Sequence, residues 1–504
     1  MATMLACLVV APAGQAGPSL PSRALRVDVG GAPVSRPVAP GFLGLSIEYR
    51  SVSYYFGSDP AQPNPLFVSL VRQLTAGRSP VIRMGGDTTD WTWWPTPGTI
   101  RPPGIKFALT PRWVASTRAA AEALGARLIL GINFESDSAA IARTEAGELL
   151  SGLGPGVVGG FELGNEPEVY GSLGWYANAQ GVGVPGRPGG YDFRAYLGDY
   201  RQVSAALPRA VPVVGPASGA PAWLAGLGRY LSSDPRVKLV SFHRYPLHRC
   251  FTPRSSPDYP TVANLLAPVA SSGPADSLQR AVQLAHGRGI PFRVDELNSV
   301  SCGGARGVSD TFASALWVLD TLFNMARVGV DGVNIHTFRN AIYEPFAFGH
   351  AAGRWSAQVR PMYYGMLLFA RAAPPGARLL ATTIAPAADG ARSKAAITPP
   401  GLRVWATRAP DGTVRVVLIN DSLHRSLTTA VRSPGGASDA TAQRLRAPRI
   451  GARAGITIGG QSFGSTTATA ALTGPVRQQA LTVVQGRFVM RLPPTSATLL
   501  TIRG

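Results

Sequence analysis

Lysine is almost missing from this chain: Lys106, Lys238 and Lys394 are the only lysines in 504 residues. Acidic residues are also few, 28 Asp and Glu against 48 Lys and Arg, so the formal net charge of +20 is carried almost entirely by arginine. Two readings of that charge stand. One is arginine-rich codon usage that leaves a solvated basic surface. The other is attraction to a polyanion, and an acidic polysaccharide suits it better than nucleic acid, because the chain has no nucleic-acid motif and no basic-aromatic repeat. No apolar run is long enough to span a bilayer as a helix, so stable membrane insertion is not expected. Six histidines are present, and His243 with His248 is a pair whose spacing suits no usual zinc motif. Neither Gly85-Gly86 nor Gly303-Gly304 sits in a phosphate-binding strand-to-helix context. No metal and no cofactor are therefore expected.

The remaining composition is that of a folded protein, with 45% hydrophobic and 15% charged residues. Gly and Pro are plentiful, 58 and 44, but they fall at segment ends and read as loop punctuation. The length allows one large domain and a second one. Residues 1–16 look like a short secretory signal with small residues at Ala13 and Ala16, although the start lacks positive charge and the apolar stretch is brief. The expectation is a leader over 1–20 and a secreted, periplasmic or extracellular protein. Cleavage there removes Cys7 and leaves two cysteines.

Eight apolar, β-branched-rich segments follow at 42–49, 80–86, 128–134, 160–167, 211–216, 237–246, 292–298 and 332–338. Helical patterns such as 112–125, 276–287 and 310–328 lie between them. Eight alternations predict an α/β fold, a (β/α)8 TIM barrel over 41–360. After Tyr364 the period drops to two: 402–408 and 413–420 flank an Asp-Gly turn as a hairpin, and 488–492 and 497–502 are further strands. These predict a C-terminal all-β sandwich over 361–504. The alternating stretch 25–29, within 21–40, is expected to join it.

The stretch 161–168, Phe-Glu-Leu-Gly-Asn-Glu-Pro-Glu, carries the chemistry. It places Glu166 at the end of the fourth strand, while Glu296 ends the seventh. Catalytic side chains in such barrels stand at the C-terminal strand ends. Two carboxylates facing each other across that mouth supply a proton donor and a nucleophile for an acetal, at the roughly 5–5.5 Å separation of a double-displacement mechanism. A single strand-end Glu is more often a cap or an ion-pair partner; it is the pairing that points to catalysis.

Asn-Glu-Pro at 165–167 and the strand-seven Glu resemble the clan A retaining glycoside hydrolases. Together, Gly-Phe-Leu-Gly-Leu-Ser-Ile-Glu-Tyr at 41–49, Arg-Met-Gly-Gly-Asp at 83–87, Phe-Glu-Leu-Gly-Asn-Glu-Pro at 161–167 and Asp-Glu-Leu-Asn-Ser at 295–299 are similar to glycoside hydrolase family 79, the β-glucuronidase and heparanase group. The resemblance spans the barrel, and that family also has a trailing β domain. It implies a retaining glycoside hydrolase that removes a β-linked sugar, terminal glucuronic acid, from a glycan or glycoside. Glu166 would be the general acid/base and Glu296 the nucleophile. The donor needs a raised pKa from an apolar wall or a neighbouring carboxylate, and the nucleophile needs hydrogen bonds that keep it ionised.

By the same resemblance Asn165 would bind the sugar 2-hydroxyl and Tyr245 would orient Glu296. Glu48 and Asp87 would accept hydrogen bonds from other hydroxyls, and His243, His336 and Tyr343 would form the pocket wall. Glu162 and Asp295 are expected to brace neighbours. One departure bears on the sugar: Ser301 stands where bacterial members have a tyrosine that helps recognise the glucuronate carboxylate. Backbone donors at Gly303 and Gly304, or Arg306, would have to compensate. A neutral-sugar β-glycosidase of the same fold is the alternative this favours, and a non-catalytic glycan-binding relative is the third reading. Trp91, Trp93 and Trp94 are either a sugar-stacking wall or loop packing. Cys250 and Cys302 follow strands six and seven, so in an exported protein they form a disulfide across the mouth or remain two unrelated thiols.

Overall fold

The computed structural model describes residues 20–21, 23–386 and 401–503. The leader expected over 1–20 thus lies almost wholly outside the described residues. Eight parallel strands close into a barrel: β1 Leu43–Glu48, β2 Val81–Gly85, β3 Arg127–Ile132, β4 Val158–Leu163, β5 Val213–Ser218, β6 Val237–Arg244, β7 Phe292–Leu297 and β8 Gly332–Thr337. β8 returns to β1 with Val333 opposite Leu43 and Thr337 opposite Ile47. Helices such as Pro111–Leu124, Ala139–Leu153 and Phe312–Arg327 cover the outside. Their starts follow from sequence: Thr110, Ser138 and Asp192 each cap a helix by accepting from a first-turn backbone N–H.

Alternation within the strands has an unusual use here. Ile82 and Met84 on β2, Phe161 and Leu163 on β4 and Val294 on β7 join the main apolar core. Next to them in sequence, Arg83, Glu162 and Asp295 have fully buried side chains that meet although their strands are not neighbours. Contact between non-adjacent strands must cross the barrel interior, so the polar face of these strands looks inward, where branched apolar residues usually fill such barrels. Burying so many charges is tolerable only because they pair.

The helix Pro361–Ala372 closes the barrel's outer layer. Phe369 packs on Phe42 and Phe323, with centroids at 5.4 and 4.9 Å. A division at 360/361 would assign this helix to the β domain; in the structure it packs on the barrel, and the β domain begins with strand Arg378–Ala385. The hairpin pairs Leu402–Arg408 with Val414–Asn420, and the N-terminal strand Leu25–Pro33 pairs antiparallel with Arg378–Ala385 and parallel with Leu427–Arg432. Ser496–Ile502 joins both Val414–Asn420 and Asp439–Arg446, so the sheet of this second all-β unit rolls up and closes on itself. Period two sets its two faces. Leu402, Val404 and Ala406 enter its own core, while Arg403 bonds Asp320 and Trp405 stacks on Phe323 at 5.4 Å, fixing the unit to the barrel.

Candidate active site

Arg83 organises the C-terminal mouth of the barrel. Its Nε donates to Glu162 Oε2 at 2.6 Å and lies 3.1 Å from Asp295 Oδ2; Nη1 donates to Glu296 Oε2 at 2.7 Å and to Ser46 Oγ at 3.2 Å; Nη2 donates to Asn165 Oδ1 at 2.9 Å. One planar cation thereby sets the positions of five neighbours, a geometry that lysine cannot reproduce. Two glycines make room for it and for the adjoining carboxylate. A Cβ on Gly85 would lie 2.5 Å from Arg83 Cζ, and one on Gly86, at φ +76°, would lie 2.6 Å from Glu48 Oε1. This is the physical content of Arg-Met-Gly-Gly-Asp at 83–87.

Glu296 is buried and receives two strong donors, Arg83 on Oε2 and the Tyr245 hydroxyl on Oε1 at 2.7 Å. Burial alone would raise its pKa. The charges of His336, His243 and Arg83, with the Tyr245 hydrogen bond, overcome that and hold it well below the usual carboxylate range. Glu166 is different. It adopts a left-handed backbone conformation, φ 48°, its N–H donates to Ala217 O, and its side chain remains 30% exposed in the cleft. The carboxylate expected beside it is that of Glu296, and its hydrogen-bonding neighbour is the ring of His243, whose Nδ1 is 3.0 Å from Glu166 Oε1. Burial lowers the His243 pKa, but Glu296, Glu166 and Asp295 outweigh this and raise it to about 9.

One carboxylate oxygen of Glu166, one of Glu296 and a nitrogen of His243 all lie within 4.8 Å of one another. Such a trio has the outline of a metal site. Here, however, Glu296 already faces the Arg83 guanidinium at 2.7 Å, and a cation added beside a fixed cation meets repulsion, so the donor set fits a carboxylate pair better than an ion. Beneath them, burial and the charge of Glu162 push Asp295 well above the usual range, while Arg83 brings Glu162 below its own despite burial. The two brace Arg83 from below and stand clear of the cleft, as their strand positions led one to expect.

The opposite side of the mouth gathers hydrogen-bonding groups. Glu48 Oε2 accepts from the Thr88 N–H at 2.9 Å and from its hydroxyl, and His336 lies 3.7 Å from Glu48 Oε1 and 3.5 Å from Glu296 Oε2. Asp87 is exposed to the open cleft yet ringed by protein groups; that setting and the charges of Glu48, Glu166 and Glu296 raise its pKa to about 7. Asn165 Nδ2 points to Asp87 Oδ1 at 3.5 Å, and Tyr343 packs edge-on against His336. The cleft, about 850 Å³, is lined by Glu48, Asp87, Glu166, Tyr245, Glu296 and Tyr343 among others.

Ser301 and Gly303 line the same cleft, with Ser301 Oγ 3.2 Å from His248 Nδ1. Gly304 does not line it; it is buried, and a Cβ there would lie 3.1 Å from Ser309 Oγ and from Tyr343. Arg306 is exposed and also outside the lining, so neither is placed to replace the expected tyrosine. Trp91, Trp93 and Trp94 are outside it too: Trp93 joins a small core with Ile105, Ile141 and Trp175, with Trp91 packed against it. Cys250 and Cys302 are bonded to each other, Cα atoms 6.3 Å apart, tying the loops after β6 and β7. Sequence reasoning missed the part played by Arg83 and by Thr88. A lone charge inside the otherwise apolar 80–84 was the available signal for the first.

No family model matches the chain. A β-glucuronidase of Neurospora crassa is 25% identical over 398 residues, 70% of this chain and 67% of that protein. Among solved structures, a 4-O-α-L-rhamnosyl-β-D-glucuronidase from Fusarium oxysporum 12S in complex with Rha-GlcA superposes with a TM-score of 0.69 at 20% identity, covering 95% of this chain and all of that one. A family 51 arabinofuranosidase from Xanthomonas axonopodis pv. citri gives a TM-score of 0.64 at 16% identity over the same shares. A family 30 subfamily 8 xylanase from Clostridium acetobutylicum gives 0.52 at 12% identity over the same shares. The fold is that of these glycoside hydrolases.

Proposed function

We propose that this chain is a retaining β-glucuronidase, of the kind grouped in glycoside hydrolase family 79, and that it acts outside the cytoplasm. The observation that carries the chemistry is the approach of a Glu166 oxygen and a Glu296 oxygen to within 4.8 Å across the mouth, the close pairing of carboxyl groups that a retaining mechanism uses. Glu296, kept anionic by Arg83, Tyr245 and the flanking imidazoles, attacks the anomeric carbon while Glu166 protonates the departing oxygen. Once the ester to Glu296 forms, its negative charge is gone and the attraction that charged His243 weakens; Glu166, ionised by the first step, takes a proton from a water whose oxygen attacks the anomeric carbon, and the bond to Glu296 breaks to return its carboxylate. Asn165 and Asp87 then stand where hydroxyls of the bound ring need partners, with Glu48 and His336 beside them.

Support for glucuronate comes from the sequence similarity to a β-glucuronidase. Export is supported by the leader-like start and by the Cys250–Cys302 pairing. A neutral β-glycoside remains the second reading, favoured by Ser301, which offers only a short hydroxyl already paired with His248. The purified protein should be assayed on aryl β-glucuronide beside β-glucoside, β-galactoside and β-xyloside, with Glu296→Gln as control. Turnover of the glucuronide alone, lost in the variant, is expected. Turnover of a neutral glycoside alone would overturn the sugar while keeping the mechanism, and silence on all four would overturn the hydrolase.

A further inference from the structure

The two flanks of the barrel mouth differ in chemistry. The ends of β8 and β1 and the segment after β2 bring polar groups, His336, Glu48 and Asp87, to the cleft. The segments after β4, β5 and β6 bring polar groups too, Glu168, Arg244, His248 and Asp258 among them, but the large exposed apolar side chains of the cleft lining are all theirs and form one wall of it. Leu173, Phe251 and Val269 all line the cleft, yet they are 47%, 93% and 67% exposed; Ala220 and Pro221 lie in the same wall. Isolated exposed apolar residues are ordinary, but three large ones facing one cavity mark a binding surface. Phe251 is also held in a left-handed conformation, φ 66°, next to the cysteine bonded to Cys302. An aromatic side chain rarely occupies that region, so the loop keeps an exposed ring at the rim at a conformational cost.

This wall stands on the Glu166 side. Leu173 is in the same loop as Glu166, seven positions on, and Gly219, which immediately precedes Ala220, lies so close to Glu166 that a Cβ there would be 3.0 Å from its Oε1. A proton donor must reach the glycosidic oxygen, so whatever that oxygen carries extends along the donor's flank. We infer that Leu173, Phe251 and Val269 form a leaving-group subsite for an apolar, ring-bearing aglycone, and that the natural substrates are β-glucuronides of hydrophobic alcohols or phenols, not of hydrophilic glycan chains. The inference rests on the glucuronidase reading above. Packing of the departing ring against this wall lowers KM for such substrates, and the wall has no further role once the aglycone has left.

The test compares cyclohexylmethyl β-glucuronide with β-glucuronosyl-(1→6)-glucose. Both release a primary alcohol, so leaving-group acidity is nearly matched. The expected kcat/KM ratio is at least about tenfold in favour of the cyclohexylmethyl compound, the size of a few methylene contacts in an apolar pocket. In the variant Leu173→Asn, Phe251→Ser, Val269→Ser that ratio should fall by about tenfold, mainly through KM for the apolar substrate. All three side chains are exposed, so the thermal midpoint should change little, and Phe251→Ser alone should shift the ratio in the same direction. A ratio near one in the parent, or one that the variants do not move, would overturn the subsite. Failure to hydrolyse either compound while a neutral aryl glycoside is turned over would overturn the glucuronidase reading on which it rests.

Discussion

Replacing Arg83 by lysine keeps one positive charge in the barrel but removes the fork that distributes it. The guanidinium makes charge-assisted contacts to Glu162 at 2.6 Å and Glu296 at 2.7 Å, and a third bond to Asn165 at 2.9 Å. A single ammonium at the end of a shorter reach serves one of these sites well and leaves the others unpaired. Hydrogen bonds to charged groups contribute about 1.5–3 kcal/mol each, so losing two costs roughly 3–6 kcal/mol. That agrees with the roughly 3–5 kcal/mol cost of breaking a buried pair. Differential scanning calorimetry should show the barrel transition lowered by roughly 5–15 °C. Activity should fall by more than the folded fraction accounts for, because Glu296 and Asn165 both lose their anchor. The readout that separates this from general destabilisation is the acid limb of kcat/KM measured well below the new midpoint. It should move to higher pH, since a less well-paired nucleophile protonates more readily. A variant with parental midpoint, rate and pH profile would refute the claim that this guanidinium positions the site.

Glu166→Ala should spare an aryl glycoside with a good leaving group far more than Glu296→Gln does, while on an alkyl glycoside both should lose on the order of 10²–10⁴ in kcat/KM; equal losses on the activated substrate would count against the assignment. Asp87 offers a pH test. Its pKa is raised from 3.8 to about 7 in the folded protein, so between those values the unfolded chain releases the proton first and the parent loses stability as pH rises. Asp87→Asn removes that loss. Its denaturation midpoint relative to the parent should therefore climb from about pH 4 to about pH 7 and stay level above, and a constant offset would contradict the raised value.

The barrel was legible because each of its strands is a short apolar run ended by Gly or a polar residue, a signal local to the chain. The eight expected segments overlap the eight observed strands. What lies between the strands was less legible. Alternation in β2, β4 and β7 says that two faces differ but not that the polar one looks inward; only contact across the barrel shows it, so the hub at Arg83 went unread. The helix Pro361–Ala372 was divided from the barrel because period-two strands begin soon after it. Closure of the β unit through Asp439–Arg446 and Ser496–Ile502 joins segments about fifty residues apart, which no local pattern records. Strand ends placed Glu166, Glu296, Tyr245, Glu48 and Asp87 at one mouth, since the barrel dictates where they point. Loop residues such as Gly304, Arg306 and the 91–94 tryptophans carried no such constraint, and their packing took them elsewhere.

The central claim is that Glu296 bonds covalently to the sugar. Incubation with a 2-deoxy-2-fluoro-β-glucuronyl fluoride, which forms the intermediate faster than it is hydrolysed, followed by peptide mass spectrometry, tests this most directly. The account predicts one added sugar per chain, carried on the peptide containing Glu296 and absent from Glu296→Gln. Modification at another carboxylate, or steady turnover of an aryl glucuronide with no trapped species and inverted product, would contradict it.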